Sequence, residues 1–189
     1  RLLDDGEVLE AGSLRFETMF TPGHTPACAS YKIQDALFTG DALFMPDSGT
    51  GRCDFPGGSA RDLYHSIQQR LYAQPGETRN FVGHDYQPGG REVCYQTSVG
   101  AEKKDNVALR AETSEAEFIS FREQRDATLA APKLLFHSVQ VNVDAGRLPQ
   151  PEGEYAYLKI PLNAFKRKEP TPVPMLDTCE APEPTGRQG

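Results

Sequence analysis

FTPGHTP at residues 20–26, LFTGD at residues 37–41 and FVGHDY at residues 81–86 share one design. In each stretch a short apolar run breaks into a glycine beside a histidine or an aspartate. A strand carries its backbone to a sheet edge, where a glycine permits a sharp turn and a rigid scaffold holds the polar side chain. If the strands neighbour one another, His24, Asp41 and His84 converge. Two imidazoles and a carboxylate suit Zn²⁺ or Fe²⁺.

The sequence around these stretches predicts short strands. Apolar and polar residues alternate over 14–19, as in a half-buried strand. Residues 29–33 and 36–39 are β-prone runs separated by only two residues, which predicts a tight hairpin. A further short strand is predicted at 80–82, after the turn formed by Pro75 and Gly76.

One helix is clearly indicated after residue 58. Ser59 is a good N-cap, and Leu63, Ile67 and Leu71 recur every four residues as one apolar stripe. Pro75 ends the pattern. Short strands followed by helices indicate an α/β protein with layered architecture.

A second helix is predicted from Ser114, because Ser114 and Glu117 have the spacing of a capping box. Its apolar face is predicted to comprise Phe118, Phe121, the stem of Arg125, and Leu129. Two further segments are less defined. Residues 101–110 are expected to form a shorter helix, and residues 134–143 fit either a strand or a helix.

Composition excludes several classes of protein. The 189 residues carry a formal net charge of −7, so a partner with a phosphate backbone, such as nucleic acid, is not expected. No run of apolar residues is long enough to span a membrane. The 4 cysteines form no C-x-x-C motif, which is typical of free thiols in a reducing cytoplasm.

The ends of the sequence are also informative. The first residue is Arg1 rather than Met, which indicates a processed chain or a segment of a longer protein. Proline becomes frequent after residue 169. We therefore expect one domain over residues 1–169 and a disordered tail over residues 170–189.

The motifs TPGHTP, TGDALF and GHDY, in this order, resemble the C-terminal half of the metallo-β-lactamase fold. Between them lie GRCDFPGG at residues 51–58 and LYHSI at residues 63–67, and this part resembles the persulfide dioxygenase branch of that superfamily. The resemblance is good from Leu14 to Ala111 and looser up to Leu162. TPGHT and GD alone would equally fit glyoxalase II.

The resemblance implies an αββα sandwich with a metal at the edge where strand ends meet. Persulfide dioxygenases hold one Fe²⁺ per chain by two histidines and one aspartate. Motif matching makes His24 and Asp41 two of these ligands. The other histidine belongs to an H-x-H-x-D-H motif that this sequence does not contain, so the chain resembles a C-terminal portion of such an enzyme. Two ligands should hold iron far more weakly than three.

The resemblance also implies roles for four neighbouring residues. His84 matches a ligand of the second metal in two-metal relatives and is expected near the iron in the dioxygenases. Asp85 is expected to hydrogen-bond local backbone or to orient a neighbouring histidine. Tyr86 matches a position that lines the glutathione pocket. Arg52 suits either a glutathione carboxylate or an ion pair with Asp54 that shapes the loop.

Other candidate residues receive structural interpretations. Cys53 is interpreted as a packing residue rather than a nucleophile. His65 is expected to be structural or solvated, and His137 has no assigned role. The charged residues 102–105 are expected to form a solvated helix face.

Three functions therefore remain open. The first is an iron-dependent persulfide dioxygenase, which converts glutathione persulfide, O₂ and water into glutathione and sulfite. The second is a thioester hydrolase of the glyoxalase II type, in which zinc or another metal pair generates hydroxide. The third is a non-catalytic fragment or interaction domain. No membrane or nucleic-acid partner is expected, and a homodimer is possible.

Overall fold

The computed structural model describes residues 2–130, 132 and 134–160. The described residues up to 130 form one compact unit, and those from 132 to 160 belong to a second. The tail predicted for residues 170–189 lies outside the described residues, so the domain boundary at 169 stays a prediction.

The first unit is built on a six-stranded sheet with the strands in chain order. Neighbouring strands are antiparallel, except for the parallel fourth and fifth strands. The strands are β1 (Val8–Ala11), β2 (Leu14–Phe20), β3 (Ala29–Ile33), β4 (Ala36–Gly40), β5 (Arg79–Val82) and β6 (Gln96–Ser98). The mixed α/β class is therefore confirmed.

The pairing directions decide where the strands end. β4 and β5 are parallel, and β2 runs in the same direction because β3 is antiparallel to both β2 and β4. The carboxyl ends of β2, β4 and β5 therefore meet at one sheet edge. The three glycine-containing motifs follow these ends.

The hairpin between β3 and β4 is confirmed, with Ile33 paired to Ala36. Gln34 takes a positive φ of 55° to close the two-residue turn. β1 and β6 were not predicted. Both are edge strands of three or four residues whose pattern is too short to detect.

The first helical segment matches the prediction. α1 (Ala60–Ser66) begins at Ser59, whose hydroxyl accepts a hydrogen bond from the Asp62 N–H, and it continues into a π-helical turn over Ile67–Leu71. Leu63, Ile67 and Leu71 are fully buried. They pack with Met19 and Leu37 in the core on one face of the sheet.

The second predicted helix, α3 (Glu115–Asp126), has the expected capping box between Ser114 and Glu117. The prediction of its buried face is confirmed for Phe118 and wrong for Phe121 and Arg125. The buried residues are Phe118, Arg122 and Asp126, whereas Phe121 is 39% exposed. An ion pair between Arg122 and Asp126 makes burial of this polar stripe possible.

The helix predicted at residues 101–110 is confirmed only in part. α2 (Val99–Asp105) begins earlier, because the Ser98 hydroxyl caps the Ala101 N–H, and it ends at Asp105, so the prediction was wrong for residues 106–110. The expectation of a solvated charged face is wrong for Glu102, which is 0% exposed. Its carboxyl group accepts a hydrogen bond from the Asn106 amide at 2.7 Å. This bond between two buried side chains one helical turn apart partly compensates burial.

The second unit contains α4 (Leu135–Asn142), so the ambiguous segment is a helix. Val139 is 54% exposed within that unit. No helix among the residues described by the structure is long and apolar enough to cross a membrane.

The sheet face opposite the core carries aromatic residues. Phe38 and Phe81 stack at 5.2 Å between ring centroids, and Phe20 and Phe38 are about two-fifths exposed, at 40% and 42%. In an αββα sandwich such a face packs against a second sheet. Helices on one face and aromatic residues on the other agree with the sandwich implied by the sequence motifs.

Candidate functional site

The predicted convergence of the three motifs is confirmed. His24 Nε2 lies 3.7 Å from one carboxylate oxygen of Asp41, and His84 Nε2 lies 3.3 Å from the other. Access differs between the two imidazoles, because the His24 side chain is 14% exposed and that of His84 is 59% exposed. The site is thus fixed on one side and open to solvent on the other.

The orientation of His24 is set by a backbone hydrogen bond. His24 Nδ1 lies 2.7 Å from the carbonyl oxygen of Arg52. A carbonyl only accepts, so Nδ1 carries the proton of this hydrogen bond, and Nε2 is the ring nitrogen that faces Asp41. Metal-binding histidines commonly have this arrangement, in which the second ring nitrogen donates to a carbonyl. The Phe55 ring packs edge-to-face with the imidazole, at 5.2 Å between ring centroids.

Glycines allow the loop over residues 51–58 to approach the site closely. A Cβ on Gly51 would lie 1.9 Å from the carbonyl oxygen of Asp41 and 3.2 Å from the Cβ of His24. A Cβ on Gly58 would lie 3.1 Å from the carbonyl oxygen of His24. The loop therefore packs directly on the backbone of both predicted ligands.

The Arg52 guanidinium donates hydrogen bonds to other groups of the protein. Nε and Nη2 donate to the two Asp54 oxygens at 2.6 Å each, and Nη1 donates to the Ala130 carbonyl at 2.8 Å. The hydrogen bonds from Arg52 hold the pKa of Asp54 below its usual range. These contacts favour the loop-shaping role, and binding of a glutathione carboxylate stays a prediction.

Asp85 does not face a histidine. Its carboxylate accepts two hydrogen bonds from Arg91 at 2.7 Å, one from the Cys94 N–H at 2.7 Å and one from the Gln87 N–H at 3.3 Å. These contacts hold the pKa of Asp85 well below its usual range. Of the two predicted roles, the contacts match the one in which Asp85 bonds local backbone. Arg91 also binds Asp47 and was not singled out from the sequence.

An exposed aromatic ring, Tyr86, lies on the open side of the site, and the buried Phe44 packs behind it. Tyr86 and Phe44 contact edge-to-face at 5.4 Å between centroids, and both rings lie near the His84 imidazole. Burial, and then the nearby charge of Asp41, raise the pKa of Tyr86. Tyr86 therefore remains a neutral phenol beside the predicted ligand.

The contacts of two other candidates, Cys53 and His65, fit structural roles. Cys53 is buried, and burial raises the pKa of its thiol to about 12, which agrees with packing and not with a thiolate nucleophile. His65 lies 3.4 Å from Glu115 and 3.0 Å from the Gln69 amide, on the surface of α1.

The donor chemistry of His24 and Asp41 fits a divalent transition metal, because an oriented imidazole faces a carboxylate. Within the described parts of the chain, however, no group of three or more His, Cys, Asp or Glu is arranged to hold a metal ion. The geometry therefore supplies an incomplete ligand set.

The sequence analysis missed the buried residues beneath the loop. Arg122 and Asp126 contact the backbone at Thr50 and Cys53. The one signal in the sequence was their spacing of four on a helix, which places opposite charges on one face.

The family of this chain can be assigned by comparison with known proteins. Residues 1–84 match the family model described as metallo-beta-lactamase superfamily. The chain carries a metallo-β-lactamase superfamily domain. Among solved structures, this domain is similar to ETHE1 from Myxococcus xanthus, with a TM-score of 0.68 and 39% identity, covering 77% of this chain and 60% of that chain.

Curated relatives of the metallo-β-lactamase domain carry several names. A probable metallo-hydrolase of Burkholderia pseudomallei is 51% identical, and the match covers 87% of this chain and 60% of the metallo-hydrolase. Glyoxylase B2 of Dictyostelium discoideum is 44% identical, and the match covers 88% of this chain and 58% of the glyoxylase. The human mitochondrial persulfide dioxygenase ETHE1 is 40% identical, and the match covers 44% of this chain and 33% of ETHE1. The ETHE1 matches support the persulfide dioxygenase branch, while the chain spans at most 60% of these relatives.

Proposed function

We propose that this chain forms part of an iron(II)-dependent persulfide dioxygenase that converts glutathione persulfide, O₂ and water into glutathione and sulfite. The observation that carries the proposal is the oriented His24 imidazole facing Asp41 at 3.7 Å. Similarity to ETHE1 proteins supports the choice of reaction. When bound, ferrous iron supplies the O₂ chemistry that protein side chains lack.

The chain's own residues divide the remaining work. His24 and Asp41 would hold the metal, and His84, 3.3 Å from Asp41, would orient that carboxylate. Tyr86, backed by the buried Phe44, offers an aromatic surface on the open side, suited to the apolar parts of a glutathione persulfide. The protein thus positions the substrate and the metal against each other.

Removal of either proposed ligand should abolish metal retention. In the whole gene product, His24→Ala and Asp41→Ala are each expected to weaken Fe²⁺ or Co²⁺ binding by more than about 100-fold, which exceeds the loss typical of indirect contacts. The measurement is metal titration followed by elemental analysis. His65→Ala, on the surface of α1, is the matched control and should bind metal normally. Undiminished sulfite production by Asp41→Ala would contradict the assignment.

Arg52 should act mainly on loop stability. Arg52→Lys and Arg52→Ala are each expected to lower the free energy of unfolding by about 1–2 kcal/mol, because lysine cannot reproduce the paired hydrogen bonds to Asp54. Urea denaturation and KM for glutathione persulfide are measured together. A large KM increase at unchanged stability would instead favour contact between Arg52 and the glutathione carboxylate.

A hydrolase of the glyoxalase II type is the second candidate. The similarity to glyoxylase B2 and the position of His84 beside Asp41 favour it, because His84 could then bind a second metal. Metal content separates the two. One iron per chain with O₂ uptake supports the dioxygenase, whereas two metals with thioester hydrolysis and no O₂ uptake supports the hydrolase.

We also propose a cytoplasmic location. Cys28, Cys53 and Cys94 are free thiols, as is usual in a reducing compartment. Cell fractionation with an antibody against the chain tests this.

A further inference from the structure

Helix α3 buries a complete ion pair beneath the loop over residues 51–58. Arg122 Nη2 and Nε donate to the same oxygen of Asp126, at 2.8 and 3.1 Å. The residues are only 4% and 7% exposed. A buried pair of this kind contributes little net stability compared with apolar residues of similar volume, because desolvation offsets the attraction. The contacts that the ion pair makes with the loop are therefore more informative than its contribution to stability.

The pair binds the loop at two backbone points. Arg122 Nη1 donates to the Thr50 carbonyl at 3.1 Å and to the Thr50 hydroxyl at 3.3 Å. The second oxygen of Asp126 accepts the Cys53 N–H at 2.8 Å. Thr50 and Cys53 lie on either side of Gly51 and Arg52, so α3 fixes both ends of the segment that approaches the site.

That segment contains the carbonyl that orients His24. The Arg52 carbonyl accepts the His24 Nδ1–H at 2.7 Å. The peptide linking Arg52 to Cys53 carries this carbonyl and also the N–H bound by Asp126. The two hydrogen bonds lie on opposite sides of one planar peptide group, so Asp126 sets the direction of the carbonyl that His24 meets.

We propose that Arg122 and Asp126 are positioning residues that fix the tautomer and orientation of His24 for metal binding. Asp126 aims the Arg52 carbonyl, Arg122 holds Asp126 and Thr50, and the carbonyl keeps the proton on Nδ1. His24 Nε2 is then held toward Asp41 without further adjustment. Contacts one step removed from a ligand typically change metal affinity by about 10- to 100-fold. This inference rests on the proposed role of His24 as a metal ligand.

The first test uses the unaltered, metal-free protein. Nitrogen-15 NMR at mildly alkaline pH distinguishes the two neutral tautomers of His24. The expected result is a proton on Nδ1. A proton on Nε2 would overturn the proposal, whatever reaction the enzyme performs.

The second test changes the pair without leaving a buried charge. The double variant Arg122→Met/Asp126→Leu should fold, because it leaves no buried charge without a partner. It leaves the Cys53 N–H and the Thr50 carbonyl without these partners. We expect His24 to show a mixture of tautomers and Co²⁺ affinity to fall about 10- to 100-fold. The visible spectrum of the bound Co²⁺ should shift as the ligand geometry relaxes.

Asp126→Asn provides a second variant for the same test. Asparagine has one acceptor oxygen, so it cannot serve both Arg122 and the Cys53 N–H. It should therefore reproduce the change in His24 tautomer. The matched control is Arg61→Met/Glu115→Leu, which removes an exposed ion pair between α1 and α3 at 3.0 Å. The control should keep the wild-type tautomer and Co²⁺ affinity.

The outcomes separate this inference from the proposed function. Wild-type tautomer and Co²⁺ affinity in Arg122→Met/Asp126→Leu or in Asp126→Asn would overturn the positioning role. If the variants lose the wild-type tautomer and Co²⁺ affinity, the positioning role is supported. If the wild-type protein in the same experiment binds metal but oxidises no persulfide, the proposed reaction is rejected while the positioning role stands.

Discussion

Gly51→Ala is expected to eliminate metal binding and to lower the free energy of unfolding by about 3 kcal/mol or more. The added methyl group would lie 1.9 Å from the Asp41 carbonyl oxygen and 3.2 Å from the Cβ of His24. Neither neighbour is the mobile end of a long side chain, so the backbone of the site must move. The displacement should separate His24 from Asp41.

The control for this substitution is Gly12→Ala. Gly12 has a positive φ of 62°, and nothing lies within 4 Å of the position that an added methyl group would take. Strain alone should cost about 1 kcal/mol there and leave metal binding unchanged. Urea denaturation and Co²⁺ titration measure both effects. A Gly51→Ala protein with normal stability and metal affinity would show that the loop does not pack on the site as described.

Glu102→Gln is expected to remove most of the pH dependence of stability between about pH 5 and pH 9. Burial raises the pKa of Glu102 to about 8, with smaller opposing contributions from the Asn106 and Asn80 amides, and the charge of Asp47 raises it further. The folded protein therefore binds this proton over a pH range in which the unfolded chain has already released it.

The direction of the effect follows from proton binding. Because the folded-state pKa lies above the unfolded value, the contribution of Glu102 to the free energy of unfolding is highest below about pH 4.5 and falls as the pH rises toward about 8. The maximum loss is about 5 kcal/mol for a shift from 4.5 to about 8. Glutamine stays neutral, so the variant should avoid this loss.

Urea denaturation of both proteins across this range provides the measurement. Glu123→Gln, which removes an exposed carboxylate from α3, is the matched control and should retain the wild-type pH dependence. If Glu102→Gln and wild type lost stability in parallel as the pH rose, Glu102 would not be a protonated buried acid.

Local features of the fold were predictable from the sequence because their causes are local. Ser59 and Ser114 cap helices through atoms three residues away. The hairpin turn at Gln34 depends on two adjacent strands and a short connection. Apolar residues four apart on α1 identify its buried face.

The candidate site was only partly predictable. Motif chemistry identified His24, Asp41 and His84, but their convergence depends on strand order and direction, which periodicity does not specify. The role of Arg52 stayed open because its partner carbonyl at Ala130 is 78 residues away.

Buried charges were the main failure of the sequence analysis. Arg122, Asp126 and Glu102 were assigned no buried role, because a charged residue is normally exposed unless a partner compensates it. Those partners come from tertiary packing: Thr50 and the Cys53 N–H for the α3 pair, and Asn106 for Glu102. Only spacing of four residues on a helix hinted at these pairs.

Metal content and O₂ consumption of the whole gene product test the central claim most directly. We expect one iron per chain and, on addition of glutathione persulfide, O₂ uptake with formation of sulfite. Both should disappear in His24→Ala and Asp41→Ala. Two zinc ions per chain with no O₂ uptake, or persulfide oxidation that survives both substitutions, would contradict the claim.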